Sequence, residues 1–226
     1  MQPLSPDTGF PSEPNATLLL PGPAGALEVA TTTPSAAPAA ATAVICHPHP
    51  LHGGTMHNKV VHMLARSFGE LGLRTVRFNF RGVGQSEGSF AGAAGETDDA
   101  LAVLEWARRQ RPHDQIWLAG FSFGGHVALR AADRFAVTRL IAVAPAVYRY
   151  TDLGPPPPPR VPLLVLQGDQ DEVVPAEEVQ GWCWQLSPPP EVRMFPGVGH
   201  YFHGKLNELR ATVQEVLGRH VPREPA

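Results

Sequence analysis

The stretch Gly120-Phe121-Ser122-Phe123-Gly124 sets a serine between two glycines, after the apolar run 116–119 and before 125–132. The first run reads as a short buried strand and the second, rich in helix formers, as the opening of a helix. A serine centred in G-x-S-x-G at a strand-to-helix turn is the nucleophile-elbow pattern. So sharp a reversal holds the serine in a strained backbone conformation, and its neighbours two residues away must be small. Gly120 and Gly124 meet that demand, and Gly125 gives further room. The hydroxyl then stands at a helix N-terminus, whose free N–H groups favour developing negative charge. A serine hydroxyl is a weak nucleophile near neutral pH, so it needs a base, and the base needs an orienting acid. In this architecture the chain order is serine, acid, histidine. Gly168-Asp169-Gln170-Asp171-Glu172 and Pro196-Gly197-Val198-Gly199-His200 come in that order, each after a run that reads as a strand. Asp169 competes with Asp171 for the acid, and His203 with His200 for the base.

The elements that must position these groups alternate. Strands are expected over 43–46, 74–80, 138–144, 161–167 and 191–195, and helices over 58–71, 96–110, 176–186 and 202–217. Gly72 ends the first helix as a C-cap, and Pro112 blocks continuation of the second. The alternation implies an α/β protein, with a mainly parallel doubly wound sheet, helices on both faces, and functional groups on loops at strand C-terminal ends. Residues 16–20 and 26–30 flank Pro21-Gly22-Pro23-Ala24-Gly25 and read as an N-terminal β-hairpin. Residues 1–14 are expected as an arm and 15–226 as one domain. Residues 146–160 contain five consecutive prolines and no helical period, so no lid domain fits between the flanking strands.

Composition narrows the function classes. A net charge of −3 over 226 residues provides neither a basic surface for nucleic acid nor an acidic tail. No apolar run is long enough to cross a bilayer, and the start has neither a basic nor an apolar signal region, which favours a soluble cytoplasmic protein. Cys46 and Cys183 lie in apolar contexts and read as buried thiols, not a bridge. A small-molecule partner is the expectation.

Four motifs carry a family resemblance: His-Pro-His-Pro-Leu-x-Gly-Gly-Thr-Met at 47–56, Arg-Phe-Asn-Phe-Arg-x-Val-Gly at 77–84, Gly-Phe-Ser-Phe-Gly at 120–124 and Gly-Asp-x-Asp-Glu at 168–172. Across 43–217 the chain resembles the α/β-hydrolase superfamily, and more narrowly a group of small, lid-poor bacterial serine hydrolases. That group is similar in size and build to dienelactone hydrolases, which carry a cysteine where this chain has Ser122. The resemblance implies Ser122 as nucleophile, His200 as base and Asp171 as its orienter. Asp169 is left to shape its turn, and His203 to begin the following helix.

Attack on a carbonyl also needs two preorganised donors for the oxyanion. One is expected from the N–H of Phe123. The other is expected from the loop 47–54, where Pro48 and Pro50 have no N–H; Leu51 is the first choice and His49 the second. His49 and Tyr148 are expected to line the substrate; Arg81 is a candidate for it too, but its first reading is structural pairing within its Gly-rich loop. Phe121, Phe123 and Tyr150 compete between pocket and core, while Trp182 and Trp184 read as helix packing. His47, His49, His52, His57 and His62 invite a metal reading. Alternating X-Pro points successive imidazoles apart, so hydrogen bonds shaping the loop are expected and no metal or cofactor. The expected activity is hydrolysis of small to medium carboxylic esters through an acyl-enzyme. A peptidase, amidase or acyltransferase on the same residues is the alternative, and a non-catalytic binding module a more distant one.

Overall fold

Strands buried on both faces read as continuous apolar runs, and this chain supplies them. The computed structural model describes residues 10–11, 13–35, 38–150 and 153–222. Within them β3 (Ala41–Cys46) and β7 (Leu163–Gly168) are buried at every position. With β4 (Arg74–Phe78), β5 (Gln115–Phe121), β6 (Arg139–Val143) and β8 (Glu191–Phe195) they form a parallel set. The hairpin β1 (Asn15–Gly22) and β2 (Gly25–Thr32) joins antiparallel through β2 and β4. The eight-stranded order is β1-β2-β4-β3-β5-β6-β7-β8.

Helices cover both faces, as a parallel sheet requires. On one side α1 (Lys59–Glu70) and α5 (Leu206–Leu217) bury Leu64, Phe68, Leu209 and Val213 against Ile45, Trp117 and Leu166. On the other, α2 (Ala94–Gln110), α3 (Phe123–Arg134) and α4 (Ala176–Trp184) bury Leu104, Val127 and Val179 against Val44, Leu118 and Val165. The loops after β3, β5, β7 and β8 therefore open at one end of the sheet.

Local chemistry moves several boundaries. The closing helix begins at Leu206, not near 202, because Phe202 and Gly204 take positive φ of 52° and 71°. His203 accordingly lies in a turn before that helix. Beyond Phe78 the Asn79 amide still donates to the Glu28 carbonyl of β2, but the Phe80 amide leaves the ladder for the His47 ring. Trp182 is core, but Trp184 is 81% exposed and packs nothing. Of the N-terminal arm, Phe10 stacks on Trp106 and Thr33 bonds to Pro11 and Pro14; residues 1–9 and 12 lie outside the described set. The β6–β7 connection carries no α-helix among its described residues. Both cysteines are free and buried, and burial pushes the Cys183 thiol up to about 11.

Candidate active site

Ser122 sits between β5 and α3 at φ 56° and ψ −117°, a conformation that costs a non-glycine residue on the order of 1–3 kcal/mol. Its surroundings enforce that conformation. The Ser122 N–H donates to the Val143 carbonyl, and its own carbonyl accepts from Gly125, His126 and Ala146. A Cβ on Gly120 would lie 2.0 Å from the Gly124 carbonyl oxygen, and one on Gly124 would lie 2.4 Å from that of Cys46. Both glycines are therefore sterically obligatory for the turn.

A buried line of hydrogen bonds runs from this serine. Ser122 Oγ is 3.0 Å from His200 Nε2, and His200 Nδ1 is 2.8 Å from Asp171 Oδ2. His200 is 2% exposed and packs its ring on Phe121 at 4.9 Å. The Asp171 carboxylate is fixed from behind: Oδ1 accepts from the Val173 and Val174 amides at 2.9 and 2.7 Å, and Oδ2 from Gln167 Nε2 at 3.2 Å. Asp169 instead accepts from the Gly197 amide at 2.7 Å, joining the loops after β7 and β8. His203 is exposed and stacks beside Tyr201. Geometry thus brings Asp171 and His200 into line with Ser122 and leaves Asp169 and His203 outside that line.

The loop after β3 is held by a polar network whose members Glu28, Asn79 and Arg77 the sequence reading missed. His47 donates from Nδ1 to the Pro48 carbonyl and accepts the Phe80 N–H at Nε2, so its ring is neutral. Burial lowers its pKa to about 4. Asn79 accepts the Met56 amide at 2.8 Å and donates to the buried Glu28 carboxylate at 2.7 Å. Glu28 also accepts from the Gln85 amide, and Arg77 donates both to the Met56 carbonyl and to His62 Nε2. The hairpin strand β2 is in this way tied to the loop beside the serine. These contacts account for His47 and His62 as loop-shaping groups.

The donors near Ser122 differ from expectation in one respect. Phe123 opens α3 with its N–H unbonded among the described residues. The Leu51 amide is engaged: it caps a one-turn 3-10 helix, Pro50–His52, by donating to His49 Nδ1 at 3.2 Å. Leu51 therefore does not fit the second donor, whereas the His49 amide has no acceptor among the described residues. With Nδ1 accepting, the His49 ring carries its proton on Nε2, and burial and His52 pull its pKa down. That ring lies 4.8 Å from Phe90, 5.0 Å from Phe123 and 5.8 Å from Tyr150.

Of the residues expected to line the substrate, Arg81 does not fit. Its guanidinium grips Asp99 through Nε and Nη2, down to 2.7 Å, and its amide bonds the same carboxylate. Tyr148 is at the mouth, with its hydroxyl accepting from Gln185, and shares a small hollow of about 140 Å³ with Tyr150, Gly154 and Pro155. Leu51, Tyr148, Leu153, Val173 and Tyr201 are exposed apolar side chains on the loops after β3, β6, β7 and β8. They edge the end of the sheet where Ser122 lies. Gln167 was legible in principle, since a polar side chain ending a wholly buried strand must find partners. Glu28, in a hairpin, gave no such signal. No helix among the described residues is long and apolar enough to cross a membrane.

The relatives agree with this architecture. A crystal structure from Xanthomonas campestris, described as an a/b serine hydrolase without lid, is 46% identical, covers 97% of this chain and 100% of its own, and superposes with a TM-score of 0.90. An alpha-beta serine hydrolase homologue from Coxiella burnetii is 47% identical over 92% of this chain and 100% of its own, with a TM-score of 0.88. An uncharacterised protein of Rickettsia prowazekii is 34% identical over 208 residues, 87% of this chain and 86% of that one. Residues 40–161 match the family described as Serine aminopeptidase, S33. The chain belongs to that family, and is an α/β serine hydrolase with no lid domain among its described residues.

Proposed function

We propose that the protein hydrolyses small to medium carboxylic esters through an acyl-enzyme on Ser122. The observation that carries this reading is the continuous line from Ser122 Oγ to His200 to Asp171, at 3.0 and 2.8 Å. Ser122 Oγ attacks the ester carbonyl as its proton passes to His200 Nε2, while His200 Nδ1–H stays with the Asp171 carboxylate. The oxyanion is received by the amides of Phe123 and His49, which are oriented before the reaction and need little reorganisation. The tetrahedral intermediate expels the alcohol, which takes the proton from His200. Water then attacks the acyl group with His200 as base, releasing the carboxylate and restoring Ser122. Every step is proton transfer or acyl transfer among these residues, so the cycle uses no cofactor.

The family's description favours a second reading, amide or peptide cleavage on the same residues. A panel of p-nitrophenyl esters of rising acyl length, beside aminoacyl p-nitroanilides and p-nitrophenyl phosphate, separates the two. Ester turnover abolished by Ser122→Ala supports the first reading. Faster anilide than ester turnover would replace it with the second.

A further inference from the structure

A cleft lined by described residues lies away from Ser122. It has a volume of about 730 Å³ and opens at the other end of the sheet, where β6, β7 and β8 begin. β6 alone is five residues long, which separates the two ends by roughly 16 Å at the usual rise of a strand. The volume is within the range of small-molecule sites. Its walls are apolar: Leu140 and Leu163 from the sheet, Leu186 and Pro189 from the α4–β8 connection, Val216 and Leu217 from α5. Two proline runs, 157–159 and 188–190, border it; they have no N–H to donate and keep an extended path.

Its polar groups are unbalanced. Arg139, at the start of β6, makes no hydrogen bond or ion pair with any described residue, and its Nε is buried without a partner. The guanidinium rests 5.9 Å from the centre of the Trp117 ring. Arg160, also in the lining, is likewise without a hydrogen bond or ion pair to any described residue. Glu191 is shared by Arg193 at 2.7 Å and Arg219 at 3.4 Å, and Asp133, the other carboxylate of the lining, is exposed. Burial, with Arg139 and Arg219 adding to it, holds the pKa of His220 down against the opposing pull of the Glu191 carboxylate.

We propose that this cleft binds an amphipathic carboxylate, with Arg139 gripping the carboxylate and the leucine and proline walls taking the apolar body. A guanidinium fork matches a carboxylate through two parallel N–H···O bonds, and a partly buried guanidinium that Glu191 influences without a direct bond gains most from one. A polyphosphate is disfavoured by the apolar walls, and an organic cation by the charge. The site is independent of the hydrolytic reading, because no residue of it reaches Ser122.

The test is a titration of the full chain, followed by amide and arginine Nε–H NMR, with decanoate, decanol and decyltrimethylammonium as probes. Decanoate is expected to shift Leu140, Leu163, Leu217 and the Arg139 Nε–H while leaving Ser122 and His200 unmoved. It should bind at least about tenfold more tightly than decanol, the magnitude of one charge-assisted pair. Arg139→Gln should lose that preference for decanoate and keep ester turnover; Arg160→Gln should lose less of it. Blocking Ser122 covalently should leave decanoate binding unchanged. Equal affinity for decanoate and decanol, shifts centred on Ser122, no shifts at about 5 mM probe, or an Arg139→Gln protein that binds decanoate as before would each overturn the proposal.

Discussion

Replacing Asp171 by Asn tests the role of the acid more sharply than deleting it, because the surrounding donors dictate how the new amide must point. Asp171 Oδ1 receives the N–H groups of Val173 and Val174 at 2.9 and 2.7 Å. An Asn that turned its NH₂ toward them would set donor against donor, so its carbonyl takes that position. Its NH₂ is then left facing His200 Nδ1, which the carboxylate now meets at 2.8 Å. To accept from it, the ring must move its proton to Nε2, the atom 3.0 Å from Ser122 Oγ that has to take the serine proton. The wrong tautomer costs on the order of 10⁴ in turnover in the serine-protease precedent, or about 5.4 kcal/mol. The fold should be little affected, since both backbone donors keep an acceptor and Gln167 Nε2, which loses Oδ2, still has the Gly168 and Val174 carbonyls. Asp169→Asn is the control: its single acceptor contact, to the Gly197 amide, survives as a carbonyl, so turnover should stay within about threefold of the parent. Steady-state kcat/KM on p-nitrophenyl butyrate, beside thermal melts, measures both. A well-folded Asp171→Asn protein retaining a tenth of the activity, or a larger loss from Asp169→Asn, would refute the reasoning.

Asn79→Ala should strand the Met56 amide and leave the Glu28 carboxylate one donor short, costing roughly 2–4 kcal/mol in urea unfolding. The loosened loop should also lower kcat more than it raises KM; an unchanged kcat would separate the network from the oxyanion loop. His47 and His126 have folded pKa values of about 4. The unfolded chain, titrating at about 6.5, binds more protons between those values, so stability is complete above pH 6.5 and declines as pH falls to 4, by roughly 3 kcal/mol per histidine. Urea midpoints at pH 7.5 and 4.5 check this, and equal midpoints would contradict it. Acyl preference should peak at about two to six carbons, because a walled pocket would gain about 0.8 kcal/mol per buried CH₂ and the described residues of the β6–β7 connection form no helix to build one. A kcat/KM rising steadily from acetate to laurate would show that Tyr148 and Tyr150 close over the chain.

The parallel strands were legible because double-sided burial leaves an unbroken apolar run, as in β3 and β7. The elbow was legible because its glycines are compulsory, with a Cβ at Gly120 meeting backbone at 2.0 Å. Choosing Asp171 over Asp169 needed the resemblance, since two aspartates in one turn have the same local chemistry. What distinguishes them is which loop each reaches: Gly197 for one, His200 for the other. Leu51 and Arg81 misled for a related reason. A backbone amide or a guanidinium at a strand end looks available in sequence, but long-range or capping partners occupy both, Asp99 for Arg81 and His49 for Leu51. Glu28 stayed invisible because its partners are 51 to 57 residues away, in the loop after β4.

The central claim is that Ser122 is a nucleophile activated by His200. Treating the purified protein with a fluorophosphonate probe and mapping the adduct by peptide mass spectrometry addresses it without any assumption about substrate. One adduct on the Ser122 peptide is expected, absent in Ser122→Ala and slowed by orders of magnitude in His200→Ala, with both variants folded. An unlabelled folded protein, or labelling that persists in Ser122→Ala, would contradict the claim.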